Sequence, residues 1–146
     1  MALSGEFIAN ALTIEYENPT STWNALTTVT NQGKLSMSVG EAETTGYGTT
    51  ARNYIPWLAD NSYSFTLMHN NTAAYASRPQ TTLRVLFLAR TQVNWRVYPN
   101  GAGTGNNSVT FAGFISKMDD DYANDDQPVS SDIEIRINGA VTGAVL

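Results

Sequence analysis

A period of two that keeps restarting constrains this chain more than any other feature. "LTIEYE" puts Leu12, Ile14 and Tyr16 on one side and Thr13, Glu15 and Glu17 on the other. The same alternation returns in "KLSMSVGE" (Leu35, Met37, Val39), "SYSFTLMH" (Tyr63, Phe65, Leu67), "VNWRVY" (Val93, Trp95, Val97) and "SVTFAGFIS" (Val109, Phe111, Ile115). It closes with "DIEIRING", where Ile133, Ile135 and Ile137 oppose Glu134 and Arg136. Successive side chains of a strand point to opposite faces, so each segment reads as a strand with one buried side. "WNALTTV" adds a further strand, and "NPTS" and "PNGAGTGNN" supply turn chemistry between elements. The "NG" at 138–139 predicts a hairpin into "AVTGAVL".

One segment breaks the rhythm. "SRPQTTLRVLFLART" places a proline behind Ser77 and then Leu83, Leu86 and Phe87 on one helical face. It also alternates, with Leu83, Val85, Phe87 and Ala89 against Arg84 and Arg90, but its length and its Ser-x-Pro opening favour a helix from about 79 to 90. The predicted fold is mainly β: a sandwich or open barrel of seven to eight strands with one flanking α-helix, in a single domain spanning 1–146. The charged fraction is only 14%, so Thr, Ser, Asn and Gly must cover the surface, a composition suited to strands and turns.

Composition removes most chemistries. The chain has no cysteine, which excludes disulfides, thiolate metal sites and cysteine nucleophiles. His69 is the single histidine, and no G-x-S-x-G motif accompanies it. The glycines at 101, 103 and 105 lack the Gly-Lys-Ser/Thr of a phosphate loop. Net charge is −5, from thirteen acids and eight bases; without Asp119, Asp120, Asp121, Asp125 and Asp126 the balance is eight to eight. That run is no EF-hand, because the sixth and twelfth positions from Asp119 hold Asn124 and Ser130. It reads as a solvated acidic turn between strands ending near Lys117 and starting near Ser131. No basic stripe suits nucleic-acid gripping. No apolar run approaches a membrane span and no leader pattern opens the chain, so the expectation is a protein of the cytoplasm, without catalytic activity, cofactor, metal or membrane partner.

The stretch "GYGTTARNYIPWLADN" puts Tyr47, Arg52, Tyr54 and Trp57 into what reads as a long loop over about 40–60. It fits a loop folding back over an open barrel end, an aromatic platform for sugars, or a protein interface, where aromatics and Arg are the enriched anchors. Pattern alone leaves these open.

Taken in order, the motifs resemble those of bacteriophage tail tube proteins. "GYGTTARNYIPWLADNSYSFTL" is similar to that family's long Thr-rich loop, its R-x-x-x-P-G-L-x-D-like turn and the strand that follows. "VNWRVYPNGAGTGNNSVTFAGFISKM" resembles its W-x-x-x-x-P-N-G…F-x-G-x-V-x-S double strand, and "VSSDIEIRINGAVT" its closing strand, so the likeness covers residues 40 to 146. Trp57 departs from the pattern, standing where the family more often has glycine.

The resemblance implies the major tail subunit of a long-tailed bacteriophage, sharing its fold with the tubes of contractile injection systems. Such a virion protein, assembled in the host bacterial cytoplasm, forms hexameric rings that stack into a hollow tube, and DNA passes through without specific binding. Its partners would be further copies of itself and the tape measure, terminator and distal tail proteins. Residues 40 to 60 would be the assembly loop, with Tyr47, Arg52, Tyr54 and Trp57 as interface anchors. Asp119, Asp120, Asp121, Asp125 and Asp126 would line the lumen or meet a neighbouring subunit. A glycan-binding β-sandwich, a tail terminator and a capsid decoration protein are the competing readings.

Overall fold

A computed structural model of the chain describes residues 12–26, 29, 33–48, 50–69, 78–99, 101, 105–122 and 129–145. In chain order it forms β1 (Thr13–Glu17), β2 (Trp23–Leu26), β3 (Lys34–Glu43), β4 (Tyr54–Met68), α1 (Pro79–Ala89), β5 (Val93–Tyr98), β6 (Asn107–Asp121), β7 (Ser130–Ile137) and β8 (Thr142–Val145). The strands make one antiparallel eight-stranded sheet in the order β2-β1-β5-β6-β7-β4-β3, with β8 beside β6. Beyond β2, Val29 bridges Leu67 of β4 near the other end of that order, so the sheet curls toward itself without closing. The mainly β architecture with one helix is the one the alternation predicts.

The inward residues of the alternating segments build the core. Ile14, Trp95, Ile135 and Leu67 are wholly buried, and Leu83 and Leu86 of α1 join them from above the sheet. Trp95 satisfies its indole by donating from Nε1 to the Gly113 carbonyl at 3.1 Å. Gly113 must lack a side chain, because a Cβ there would lie 2.6 Å from the Arg136 carbonyl oxygen across the β6–β7 pair. Tyr63 packs against Phe65 and Phe111, and burial pushes its phenol up to about 12.

Proline at the first helical position opens α1, behind an extended Arg78 (φ −69, ψ 139); Ser77 lies outside the described residues. At the other end Arg90 takes the left-handed conformation (φ 56). Its amide donates to the Phe87 carbonyl and that of Thr91 to the Leu86 carbonyl, both at 3.1 Å, closing a Schellman turn in which glycine is the usual occupant.

Three sequence expectations change. Much of the expected loop at 40–60 is strand, since β3 runs to Glu43 and β4 begins at Tyr54, with the two paired as far as Glu43↔Tyr54. The expected hairpin after Ile137 does not form. β7 occupies β6 only from Gly113 to Asp121, and β8 takes the vacant stretch Asn107–Thr110 on the same side, so β7 and β8 lie end to end along β6. Finally, β6 continues past Lys117 to Asp121, so the acidic run opens in a strand and not in a turn.

A projecting ribbon and an apolar groove as candidate assembly surface

The β3–β4 pair is longer than the sheet that supports it. β7 pairs with β4 only over Ser62–Met68, leaving Tyr54–Asp60 with β3 on one side and no strand on the other among the described residues. At about 3.3 Å per residue, this two-stranded ribbon extends on the order of 20 Å beyond the end of β7. Val39 pairs with Ala59 and Glu41 with Pro56, so Trp57 and Leu58 together oppose Gly40 in a β-bulge. Proline is tolerated there because the outer edge needs no ladder donor, and a bulge re-aims the side chains it carries. A Cβ on Gly40 would sit 3.4 Å from the Trp57 Cβ, so the glycine makes room for the indole.

The ribbon is apolar and uncovered. Trp57 and Leu58 are 66% and 76% exposed, and Met37, Val39, Tyr54 and Ile55 are exposed with them. The expectation that Met37 and Val39 share a buried face with Leu35 therefore fails: their alternation is real, but among the described residues no layer covers them. Of the predicted anchors, Tyr47 is fully exposed in the connecting turn, Arg52 stands 4.0 Å from Glu43, and Tyr54 and Trp57 lie on the ribbon itself. The turn's base is tied by the Thr44 amide to the Asn53 carbonyl at 2.8 Å and the Asn53 amide to Thr45 Oγ1 at 3.0 Å. Covering a large apolar side chain is worth about 1.5–3 kcal/mol. Several together reach the ~4–15 kcal/mol that association costs.

A second apolar surface escapes the sequence reading. α1 packs on β6, and between its last turn and that strand runs a groove of ≈ 530 Å³ lined by Phe87, Leu88, Arg90, Phe114, Ile115 and Ser116. Val85 and Leu88 point outward from the helix, exposed by 60% and 71%. A signal was present: "VLFLA" sets five apolar residues in succession, which no single helical face can hold.

The acidic run divides. A bulge between Ile115 and Lys117 reverses the in–out order of β6, so Met118 and Asp120 turn toward the core side, opposite Ile133 and Ser131. Asp120 accepts from Arg84 of α1, from the Tyr122 hydroxyl at 2.8 Å and from Ser131 Oγ at 2.5 Å. Ser131 has given its only proton to Asp120, so at 2.7 Å it accepts from His69 Nε2–H. Burial alone would raise the Asp120 carboxyl; the hydrogen bonds from Ser131, Tyr122 and Arg84 hold it below the usual range. Burial likewise lowers His69, against the opposing charge of Asp120. This network ties helix to sheet, and Ser131, wholly buried, offers no nucleophile to solvent. Of the acidic run, Asp120 thus turns its carboxylate into contacts within the chain. Asp119 faces outward with Lys117 at 3.0 Å, Asp121 is exposed, and Asp125 and Asp126 lie outside the described residues. Among the described residues no group of three His, Cys, Asp or Glu could hold a metal ion, and no helix is long and apolar enough to cross a membrane.

No protein-family model matches the chain, and no curated protein does. Solved structures do. A chain of the SPP1 tail tube superposes with a TM-score of 0.66 at 11% identity, covering 92% of this chain and 77% of that one. The fold is that of a tail tube. A chain from the tail of an empty GTA particle, refined with C6 symmetry, superposes at 0.70 with 14% identity over 92% of this chain and 96% of the other. One from the six-fold symmetrised baseplate of the anti-feeding prophage reaches 0.72 at 12% identity over 98% of both.

Proposed function

We propose that the chain is a structural virion protein that assembles into stacked hexameric rings, forming the hollow tail tube through which DNA passes. The observation that carries this reading is the ribbon: an apolar β-hairpin with no strand beside either edge among the described residues, on a fold shared with tail-tube chains. A two-stranded hairpin is marginal in water on its own, and an unpaired apolar edge invites pairing with another chain. Ring growth from one kind of subunit requires a heterologous contact, one patch on each copy meeting a different patch on the next.

The sheet face turned away from the core suits the channel side. Over β3, β4 and β7 it presents Ser36, Ser38, Ser62, Ser64, Thr66, Asp60, Asp132 and Glu134 together with Lys34 and Arg136, a polar surface on which the cations stand among carboxylates and form no basic stripe to grip a polyanion. Asp119 and Asp121 of β6 extend it. The protein acts without catalysis or cofactor, in the virion tail after assembly in the bacterial cytoplasm, with the tape measure, terminator and distal tail proteins as its other partners.

Negative-stain microscopy of concentrated purified protein tests the reading. Uniform hollow filaments with six-fold end views are expected. Protein that stays monomeric at every salt concentration, even with a tail-tip initiator, contradicts it, and single rings or trimers that never extend would point to a terminator or decoration protein.

A further inference from the structure

The proposed assembly has a ribbon to offer but leaves its receptor unspecified. Among the described residues, the groove beside α1 is the other place where large apolar side chains stand uncovered together. Ribbon and groove lie on separate elements, β3–β4 and α1–β6, with β7 between them in the sheet.

Charge narrows the match. Of the carboxylates on the ribbon, Glu43 stands near Arg52 and Asp60 pairs with Arg136 at 2.6 Å, whereas Glu41 has no cation beside it among the described residues. Glu41 pairs with Pro56, next to Trp57. At the groove, Arg84 is held by Asp120, while Arg90 on the rim has no carboxylate partner among the described residues. Arg90 also holds the left-handed position at the helix end, where glycine would avoid backbone strain, so the turn carries a cation at a conformational cost. An Arg guanidinium is the side chain best suited to stack on an indole and pair with a carboxylate at once.

We propose that this groove receives the β3–β4 ribbon of a second copy of the chain, with Trp57 and Leu58 against Phe87, Leu88 and Phe114, and Glu41 against Arg90. The inference rests on the tube reading and adds to it the identity of the acceptor surface. The contact is heterologous and repeats without self-pairing, as a growing array requires.

The absence of native cysteine makes the test direct. Ala59→Cys marks the ribbon next to the bulge and Ser116→Cys the groove; both positions are exposed and both changes are small. The two variants are mixed, assembled and treated with a short bismaleimide. A covalent dimer in the mixture, absent from either variant alone and lost when Trp57→Ala is added, is the expected result, together with loss of maleimide labelling at Ser116→Cys on assembly. Wild-type tubes with no mixed dimer overturn the groove and leave the tube reading intact. Tubes in which Ser116→Cys still labels freely also overturn it, and assign the groove to a different protein. Failure of the wild-type chain to form any ordered assembly overturns both.

Discussion

From Asn61 to Met68, β4 alternates buried with half-buried residues, and Tyr63, Phe65 and Leu67 are 4%, 2% and 0% exposed; from Tyr54 to Asp60 every residue is exposed. β3 pairs with the outer half and with Asn61–Ser64 of the inner half, so its ladder is not what separates them. The inner half also has β7 on its other edge and a core beneath it. A hydrogen bond contributes only ~0.5–1.5 kcal/mol net, whereas burying a Phe contributes about 1.5–3 kcal/mol. Pairing therefore gives both halves their shape, but only the inner half contributes much to the monomer's stability. The outer half is free to spend its side chains on another molecule.

The largest expected effect lies in the inner half. Phe65→Ala should lower unfolding stability by about 3–5 kcal/mol, measured by urea denaturation, and assembly should fail because the fold does. A loss comparable to that of an exposed residue would erase the contrast between the halves.

Next comes the clamp that fixes α1 on the sheet. Asp120→Ala removes three hydrogen bonds to a charged, largely buried group, and about 2 kcal/mol should go with them. The Asp120 carboxyl is depressed in the folded state. Its contribution is thus present above the unfolded aspartate value, near ~4, and lost as pH falls through the lower folded value. The acid limb of the stability profile should flatten in the variant; an unchanged limb would show that the network does not act through this carboxylate.

Asp119→Lys combined with Asp121→Lys alters two exposed outward positions, so a stability change within about 0.5 kcal/mol is expected. Tubes should form while genome delivery is impaired. Undiminished infectivity would place that face away from the channel.

The smallest effects on the monomer belong to the ribbon. Because Glu43 and Tyr54 face each other in register, an Asn-Gly turn can replace residues 44–53. That variant and Trp57→Ser should both stay within about 0.5 kcal/mol of the parent. Trp57→Ser should nevertheless abolish assembly. If the shortened turn still assembles, the ribbon's flanks carry the contact and Tyr47 and Arg52 do not.

The contrast also explains what the sequence could and could not reveal. Leu35, Met37 and Val39 alternate as cleanly as Ile133, Ile135 and Ile137, because strand periodicity records that one face is covered, not which chain covers it. Pro79 announced the helix start correctly, since the ring that excludes proline from helix interiors suits it to the first turn. The bulge after Ile115 leaves no mark in composition, yet it decides that Asp120 and not Asp119 faces the core. "NG" predicted a hairpin after Ile137, but β8 runs on in the direction of β7, because the free stretch of β6 and not β7 itself offers it a partner. The clearest unused signal was the unbroken apolar run in α1; "YIPWL" was used for its aromatics but read as loop, although it is strand, and both runs are more hydrophobic than one buried face needs.

Residue-resolved amide hydrogen exchange, on the monomer and on assembled protein, reads out whether the ribbon is held by its own chain or by the next one. Residues 37–43 and 54–60 should exchange rapidly in the monomer while 62–68 are protected, and assembly should slow the ribbon to the level of the core strands. Ribbon amides already as protected in the monomer as those of 62–68, or still rapid in the assembled protein, would contradict this expectation.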